Sequence, residues 1–337
     1  MRIALDAMGG DHGPAPAVAG ALLALAAAPD LSLVLVGDQA QLDPLLTANS
    51  FPADRLEVFH ASQCVDMKEK PVDALRKKPD ASVFRAWQLM AEKKVDGLVS
   101  AGNTGAVVAG GLRTKKFLKC VQRPGIATVM PTAKGRCVIM DVGANVYPKP
   151  RHLLEYGVMG SVFARHMLGA ATPTIGLMNV GEEEGKGHEL VRQTYDLFRN
   201  GPLKDSFVGN IEGRDIHRGA VDVVITDGFT GNVVLKLSEG VFEFVMNLVK
   251  ENVIGALSAE RDVGIAALKG LIGKYHYSNF GGAPLLGIDG VCIICHGSSK
   301  EAAFASALGV AAQNVRVALN EKIVAELEAL PAVEGDA

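Results

Sequence analysis

The residues best suited to anion chemistry lie in two copies of one short motif. Residues 95–110 read VDGLVSAGNTGAVVAG and residues 221–236 read VDVVITDGFTGNVVLK, so each passes from an apolar run through Gly-x-Thr-Gly into a helical pattern. Such a turn presents backbone N–H groups at the positive end of a helix dipole, and its glycines allow an anion to approach. The alternative is a tight turn with a Thr cap and no ligand. The predicted phosphate-binding residues are Gly102, Asn103, Thr104 and Gly105 in one copy, and Asp227, Gly228, Thr230 and Gly231 in the other.

A lysine between two glycines is a further candidate for phosphate binding. Lys186 follows a predicted strand within NVGEEEGKGHE, where a mobile ammonium beside flexible backbone suits a phosphate. The spacing does not match a Walker A loop, because no Ser or Thr follows the lysine. The chain also contains no G-x-G-x-x-G, which disfavours a nicotinamide-dependent dehydrogenase.

Two other polar clusters leave their role open. Asp6, Asp11 and His12 after the first predicted strand suit a metal or acid–base site, but Asp11 could equally cap the following helix. His296 follows the last predicted strand and is either catalytic or structural.

Composition excludes several classes of protein. The chain has 337 residues, of which 48% are hydrophobic and 5% aromatic, and its formal net charge is −3, so nucleic-acid binding is not expected. The apolar stretch 18–28 is too short to span a bilayer and follows acidic residues, which predicts a cytoplasmic protein.

The five cysteines are an odd number and indicate reduced thiols. Cys292 and Cys295 would face opposite sides of a strand, so no metal site is expected there.

These candidate residues require a scaffold of alternating strands and helices. The pattern predicts an α/β fold with a doubly wound, mostly parallel, Rossmann-like sheet. In such sheets ligands bind outside the carboxyl ends of the strands, so we expect the polar clusters to share one cleft there. The expected organisation is a single α/β domain over 1–330, with a long helical hairpin inserted at about 238–277 and a disordered tail at 331–337.

Two surfaces are candidates for partner binding. Arg113, Lys115, Lys116 and Lys119 form a basic cluster after the first Gly-x-Thr-Gly helix, and residues 76–78 form a smaller one. The predicted hairpin carries apolar faces that would pack against a second subunit or rest on a lipid surface.

The chain resembles the bacterial phosphate acyltransferase (PlsX) family over nearly its whole length. The resemblance is carried by DAMGGD at 6–11, SAGNTG at 100–105, DVGAN at 141–145, NVGE at 179–182, GN at 209–210, DGFTGN at 227–232, YSNFGGA at 277–283 and HGSS at 296–299. The chain departs from the family pattern at His188, where Asn is usual, and at Ala81-Ser-Val, where the family has Ser-Ser-Met.

The resemblance implies a fold similar to those of phosphotransacetylase and isopropylmalate dehydrogenase. It also implies a cytoplasmic homodimer, peripherally associated with the membrane, that needs no cofactor. Such an enzyme transfers a fatty acyl group from acyl carrier protein to inorganic phosphate, and a membrane glycerol-3-phosphate acyltransferase uses the acyl phosphate in phospholipid synthesis.

The implied reaction suggests roles for individual residues. Phosphate and a thiolate leaving group require orientation and oxyanion stabilisation rather than a protein nucleophile or a metal. We therefore expect Lys186 and the two turns to bind phosphate, Asn232 and Asn210 to contact the thioester oxygen, and His296 to contribute a polar group. The basic clusters would receive the acidic carrier protein. Two alternatives stay open: an acetyl-CoA-type phosphotransacetylase or decarboxylating dehydrogenase on the same fold, and a non-catalytic membrane scaffold.

Overall fold

The computed structural model describes residues 1–275 and 281–330. One eleven-stranded sheet runs through it in the order β3-β2-β1-β4-β11-β10-β5-β6-β9-β7-β8. The strands are β1 (Arg2–Asp6), β2 (Ser32–Gly37), β3 (Leu56–His60), β4 (Gly97–Ser100), β5 (Gly125–Thr132), β6 (Gly135–Met140), β7 (Ile175–Met178), β8 (Phe207–Ile211), β9 (Val223–Ile225), β10 (Ala283–Leu286) and β11 (Val291–Ile294). The predicted α/β fold with a mostly parallel sheet is confirmed.

Helices cover both faces of the sheet. They are α1 (Pro14–Ala27), α2 (Gln39–Thr47), α3 (Pro71–Lys77), α4 (Ser82–Ala91), α5 (Thr104–Thr114), α6 (Pro150–Phe163), α7 (Glu189–Asn200), α8 (Gly213–Arg218), α9 (Gly228–Leu248), α10 (Arg261–Tyr275), α11 (Glu301–Arg316) and α12 (Leu319–Glu328). Shorter helical turns follow α6 at Ala164–Leu168, and α9 at Val249–Val253 and Ile254–Ala256. The predicted tail 331–337 and residues 277–280 of the YSNFGGA motif lie outside the described residues.

Local sequence explains how these helices pack. In α7 the buried residues Val191, Thr194, Tyr195 and Phe198 recur at the spacing of one helical face, and that face covers the sheet. Elsewhere close contact depends on small residues. A Cβ on Gly110 of α5 would lie 2.4 Å from Trp87 Cδ1, so α5 and α4 approach closely because this position has no side chain.

The two halves of the sheet run in opposite directions. Strands β3, β2, β1, β4 and β11 are mutually parallel, as are β6, β9, β7 and β8, but β10 and β5 are antiparallel to their neighbours and reverse the direction between the halves. The carboxyl ends of the strands in the two halves therefore point in opposite directions. Strand β10 has only 4 residues and contains Pro284, so its sequence pattern alone does not indicate a strand.

Two long helices follow one another in the region expected to form a helical hairpin. Helix α9 starts at the second Gly-x-Thr-Gly turn, continues through the short turns to Ala256, and is followed by α10. Among the described helices, none alone is long and apolar enough to cross a membrane. Helices α11 and α12 are joined at a bend of 51°. Only together are these two helices long and apolar enough for a membrane span.

Candidate active site

A cavity of about 340 Å³ lies where the two halves of the sheet meet. Segments that follow β1, β4, β11, β6 and β9 reach it. The strand register permits this, because Ile294 at the end of β11 pairs with Ala283 of β10, and Met140 at the end of β6 pairs with Ala127 of the next strand. The strands β5 and β10 supply part of its wall. Its lining comprises Asp11, Met67, Thr104, Ile126, Thr128, Val142, Asn232, Leu235, Lys236, Glu239, Gly282, Ala283, Ile294, Cys295, His296, Gly297, Ser299 and Ala303.

The first Gly-x-Thr-Gly turn brings the start of α5 to this cavity. Asn103 caps the helix, since its side-chain oxygen accepts a hydrogen bond from the Ala106 N–H at 3.0 Å. Its amide nitrogen donates to the carbonyls of Met67 and Glu69, which ties the segment before α3 to the turn. Thr104 is exposed and lines the cavity at the helix N-terminus. This turn therefore combines a lining hydroxyl with a helix end that favours an anion.

The second turn already holds an anionic group of the chain. Asp227 caps α9, and its carboxylate accepts hydrogen bonds from the N–H groups of Phe229 and Thr230, each at 2.9 Å. It also accepts one from the Thr230 hydroxyl at 2.7 Å. The part of this turn that reaches the cavity is Asn232, which is exposed one residue after Gly231.

A buried carboxyl group underlies each turn. Asp6 accepts a hydrogen bond of 2.6 Å from the Ser100 hydroxyl beneath the first turn. Asp141 lies beneath the second, where a Cβ on Gly228 would be 2.8 Å from its Oδ2 and one on Gly231 would be 2.0 Å from its carbonyl oxygen. These glycines are therefore needed for close packing, whether or not an anion binds.

Desolvation acts on both carboxyl groups. Burial raises the pKa of Asp6, an effect opposed by hydrogen bonds that include the one from Ser100. Burial also raises the pKa of Asp141, against the hydrogen bonds from the N–H groups of Ala144, Ile126, Asn145 and Gly143. These bonds fix the loop after β6, and with it the wall against which α9 begins.

His296 enters the cavity from the loop after β11. Its Nδ1 lies 2.7 Å from the Ser298 hydroxyl, and Asp11 N–H donates to the neighbouring Gly297 carbonyl at 2.8 Å. This contact joins the loops after β1 and β11 at one side of the cavity.

Lys186 and Asn210 lie outside the lining of this cavity. The Lys186 side chain is exposed. The backbone carbonyl of Lys186 accepts a hydrogen bond of 3.1 Å from the Asn179 side-chain amide. Asn210 is buried and its amide donates to the Glu183 carbonyl at 3.0 Å, so it holds the loop that carries Lys186. Lys186 follows β7 and Asn210 lies within β8. These two strands lie beyond β9, and hence roughly 10 Å or more from β6 at the usual strand spacing.

The predicted basic cluster lies at the far end of α5. Arg113 donates to the Leu75 carbonyl at 3.2 Å, which links α5 to α3. Lys119 forms an ion pair of 2.5 Å with Glu328, and the hydrogen bond that its ammonium donates to that carboxylate raises the pKa of Lys119. Lys115 and Lys116 are exposed. With 11 residues, α5 places the cluster about 16 Å from Thr104.

Sequence reasoning missed three polar side chains of the lining, Thr128, Lys236 and Glu239. Lys236 and Glu239 share the cavity face of α9 with Asn232 and form an ion pair of 2.8 Å. Lys236 and Glu239 follow Asn232 by one and two helical turns. This spacing could have placed the three side chains on one face of the helix. Thr128 lies on the same face of β5 as Ile126, but this strand had not been connected with the site.

The cysteines are placed as predicted. Cys292 and Cys295 are both buried and belong to apolar clusters on opposite faces of the sheet. Burial raises the pKa of Cys295 to about 12. Within residues 1–275 and 281–330, no group of three or more His, Cys, Asp or Glu side chains is arranged to hold a metal ion.

Solved structures with the same fold include two phosphotransacetylases. The enzyme from Streptococcus pyogenes matches with a TM-score of 0.61 at 18% identity, and the alignment covers 94% of each chain. The EutD phosphotransacetylase from Staphylococcus aureus gives a TM-score of 0.59 at 14% identity, covering 93% of this chain and 94% of the other. The predicted likeness to phosphotransacetylase is confirmed at the level of the fold.

Sequence comparison establishes the family. Residues 1–322 match the family model described as fatty acid synthesis protein. The phosphate acyltransferase of Heliobacterium modesticaldum is 45% identical over 335 residues, which cover 97% of this chain and 99% of the relative. That of Dictyoglomus turgidum is 42% identical over 328 residues, covering 96% and 97%. The predicted resemblance is thereby confirmed, and the chain belongs to the phosphate acyltransferase family of fatty acid synthesis proteins.

Proposed function

We propose that the protein transfers a fatty acyl group from the thioester of an acyl carrier protein to inorganic phosphate. The products are acyl phosphate and the free thiol of the carrier. The observation that carries this proposal is the convergence of Thr104, Asn232 and His296 on one cavity in a chain whose relatives are phosphate acyltransferases.

The reaction needs orientation and charge stabilisation above all. A phosphate oxygen attacks the carbonyl carbon, a C–O bond forms, and the C–S electron pair leaves with sulfur as thiolate. Between these events the carbonyl oxygen carries negative charge, and preorganised donors such as the Asn232 amide can stabilise it. The helix N-terminus at Thr104 supplies N–H donors for phosphate. His296 provides a further polar group at the opposite wall.

Direct attack by phosphate is favoured over a covalent acyl-enzyme. Cys295 is the one thiol among the lining residues of the described chain, and burial raises its pKa to about 12. A thiol that stays protonated near neutral pH is a poor nucleophile, so Cys295 does not suit an acyl-enzyme route.

Lys186 remains a proposed phosphate contact. Its exposed ammonium lies in the glycine-containing loop after β7, where it can follow the phosphate if this loop moves toward the cavity. Asn210 supports the same role indirectly, since it is bound to the backbone of this loop. Lys236, within the cavity lining, is the second cation available to phosphate.

The carrier protein would dock on the basic surface formed by α3 and α5. Exposed Arg76 and Lys77 on α3 lie beside Arg113 on α5, because the Arg113 guanidinium bonds to the α3 backbone. Lys115 and Lys116 extend this surface. Complementary charge would steer an acidic carrier to it, and the segment before α3 leads directly to Met67 in the cavity wall.

A homodimer and a peripheral membrane contact complete the proposal. The outward face of α9 exposes Phe229, Val233, Leu237, Phe244 and Leu248, a contiguous apolar strip of the kind that marks an interface. The cytoplasmic enzyme would use this strip for a second copy. The end of the hairpin would contact lipid, where a membrane glycerol-3-phosphate acyltransferase receives the acyl phosphate.

A reaction with purified protein tests the proposal. Acyl-carrier thioester should release thiol only when phosphate is present, and acyl-CoA should be a poorer donor. Asn232→Ala should lower kcat by ~10²- to 10³-fold, as loss of one oxyanion donor does. Asn247→Ala, on an exposed part of the same helix, is the matched control. Equal turnover in the two variants, or faster transfer from acyl-CoA than from the carrier, would contradict the assignment.

A further inference from the structure

A second cavity lies beside the candidate active site. It has a volume of about 380 Å³ and lies between β5, α8 and α9. Its walls are formed by residues 130–133, by His217, and by Ser238, Glu239 and Phe242. Most of this lining is apolar, and polar groups form a smaller share of it than in the active-site cavity.

The two cavities share their walls. Along β5, Ile126 and Thr128 line the first cavity, and Met130 and Thr132 line the second. Alternate residues of a strand face the same side, so these four side chains form one continuous row of about 20 Å. The strand therefore forms a common floor for both cavities.

Helix α9 forms the opposite wall in the same manner. Asn232, Leu235, Glu239 and Phe242 lie three or four residues apart and hence on one face of the helix. The first two line the active-site cavity, Phe242 lines the second, and Glu239 lines both. The cavities are thus successive parts of one groove between β5 and α9.

The ends of this groove differ in polarity. At the junction, the Glu239 carboxylate is balanced by Lys236 at 2.8 Å, so a neutral chain passes an ion pair rather than an isolated charge. At the far end His217 lies 3.2 Å from the Ser238 hydroxyl and 3.3 Å from the Pro131 carbonyl, and these contacts join α8, α9 and β5. The apolar part is therefore open toward the active site and bounded beyond it.

We infer that this groove binds the acyl chain of the substrate, an inference that rests on the proposed function. The thioester carbonyl lies at the Asn232 end, and the hydrocarbon extends between β5 and α9 toward His217. A hydrocarbon chain fits this groove because the groove continues the active-site cavity and polar groups form a smaller share of its lining. Each methylene buried in such a groove is worth about fourfold in kcat/KM, so the enzyme should favour long chains.

A second copy of the chain is the less favourable occupant. The exposed apolar residues Val233, Leu237 and Phe244 lie on the face of α9 opposite to Leu235 and Glu239. A dimer formed through that strip leaves the groove free.

A substitution at the far end of the groove provides the test. Ser238→Phe places a ring in the apolar part, and Asn247→Phe places the same ring on an exposed position of α9. The assay measures kcat/KM for butanoyl, octanoyl and hexadecanoyl thioesters of one carrier protein. If the ring excludes the last three carbons, the hexadecanoyl value should fall by about 50-fold while the butanoyl value stays within about twofold. Asn247→Phe should leave the profile unchanged.

The other outcomes overturn the inference. Equal effects on all three chain lengths, or no effect in a folded Ser238→Phe protein, would show that the chain binds elsewhere. Dissociation of a dimer by Ser238→Phe, measured by sedimentation, would assign the groove to a subunit interface. If Ser238→Phe does not fold, Ser238→Leu replaces it, and an unaltered profile there counts against the groove.

A binding measurement separates this inference from the proposed function. Hexadecanoate should bind to the unmodified protein, and Ser238→Phe should weaken that binding even if no acyl transfer is detected. If no acyl transfer is detected but hexadecanoate binds and Ser238→Phe weakens that binding, only the proposed reaction is contradicted. Equal binding of hexadecanoate to both proteins would contradict the groove alone.

Discussion

Replacement of Gly231 by Ala should displace the start of α9 from the active site. A Cβ at this position would lie 2.0 Å from the Asp141 carbonyl oxygen and 2.9 Å from Thr226 Cγ2. The first contact is with backbone, so it cannot be relieved by a rotamer change. Relief requires α9 or the loop after β6 to move by about 1 Å, and overpacking of this kind costs about 1–3 kcal/mol of the free energy of unfolding.

The displacement should also reduce turnover, because the next residue is Asn232. A shift of about 1 Å in a positioning group can lower a rate by ~10²-fold. Gly240→Ala is the matched control, since it lies in the same helix and a Cβ there meets no atom within 4 Å. That change should raise stability by about 1 kcal/mol through helix propensity and leave kcat unchanged.

The assay combines urea unfolding with phosphate-dependent thiol release. We expect Gly231→Ala to lower both the unfolding free energy and kcat, and Gly240→Ala to lower neither. Wild-type kcat and stability in Gly231→Ala would refute the idea that contact with the Asp141 backbone positions Asn232.

Three further predictions concern residues outside the cavity. Lys186→Ala should lower turnover by ~10²- to 10³-fold and raise the phosphate concentration needed for half-maximal rate, without a change in melting temperature; an unchanged phosphate dependence would remove Lys186 from the site. The double substitution Lys115→Glu and Lys116→Glu should raise KM for the carrier protein at low salt and make KM less dependent on salt. The value of kcat should not change, because surface charges mainly affect the encounter of the two proteins. An unaltered KM would exclude these lysines from the interface. Leu271→Gln, at a side chain 47% exposed, should weaken vesicle binding but spare turnover, whereas Leu268→Gln should reduce stability because Leu268 is only 8% exposed. Vesicle sedimentation and thermal melting measure the two effects, and equal vesicle binding by Leu271→Gln would contradict the lipid contact.

Local features of the fold could be predicted from the sequence because they depend on short-range pattern. The two Gly-x-Thr-Gly turns lie between a strand and a helix as expected, since an apolar run, glycines and a helical period act within about fifteen residues. The opposite faces of Cys292 and Cys295 were predictable from strand geometry alone.

Features that depend on chain direction and distant contacts could not be predicted. The reversal between the sheet halves arises from β10 and β5, and a periodic pattern does not indicate the direction of a strand. The strand order places the loops after β6 and β9 at the cavity but leaves Lys186, which follows β7, and Asn210, which lies in β8, outside its lining. Thr128 was missed because only the tertiary fold brings β5 opposite α9 at the cavity.

The most direct test of the proposed chemistry follows the oxygen that joins phosphate to the acyl group. Purified protein would be incubated with hexadecanoyl carrier protein and phosphate labelled with the heavy isotope of oxygen at all positions, and the acyl phosphate would be analysed by mass spectrometry. Attack by phosphate on the thioester carbonyl predicts that all four phosphate oxygens, including the bridging one, retain the label. Release of free fatty acid without acyl phosphate, or loss of label from the bridging oxygen, would contradict direct transfer from the thioester to phosphate.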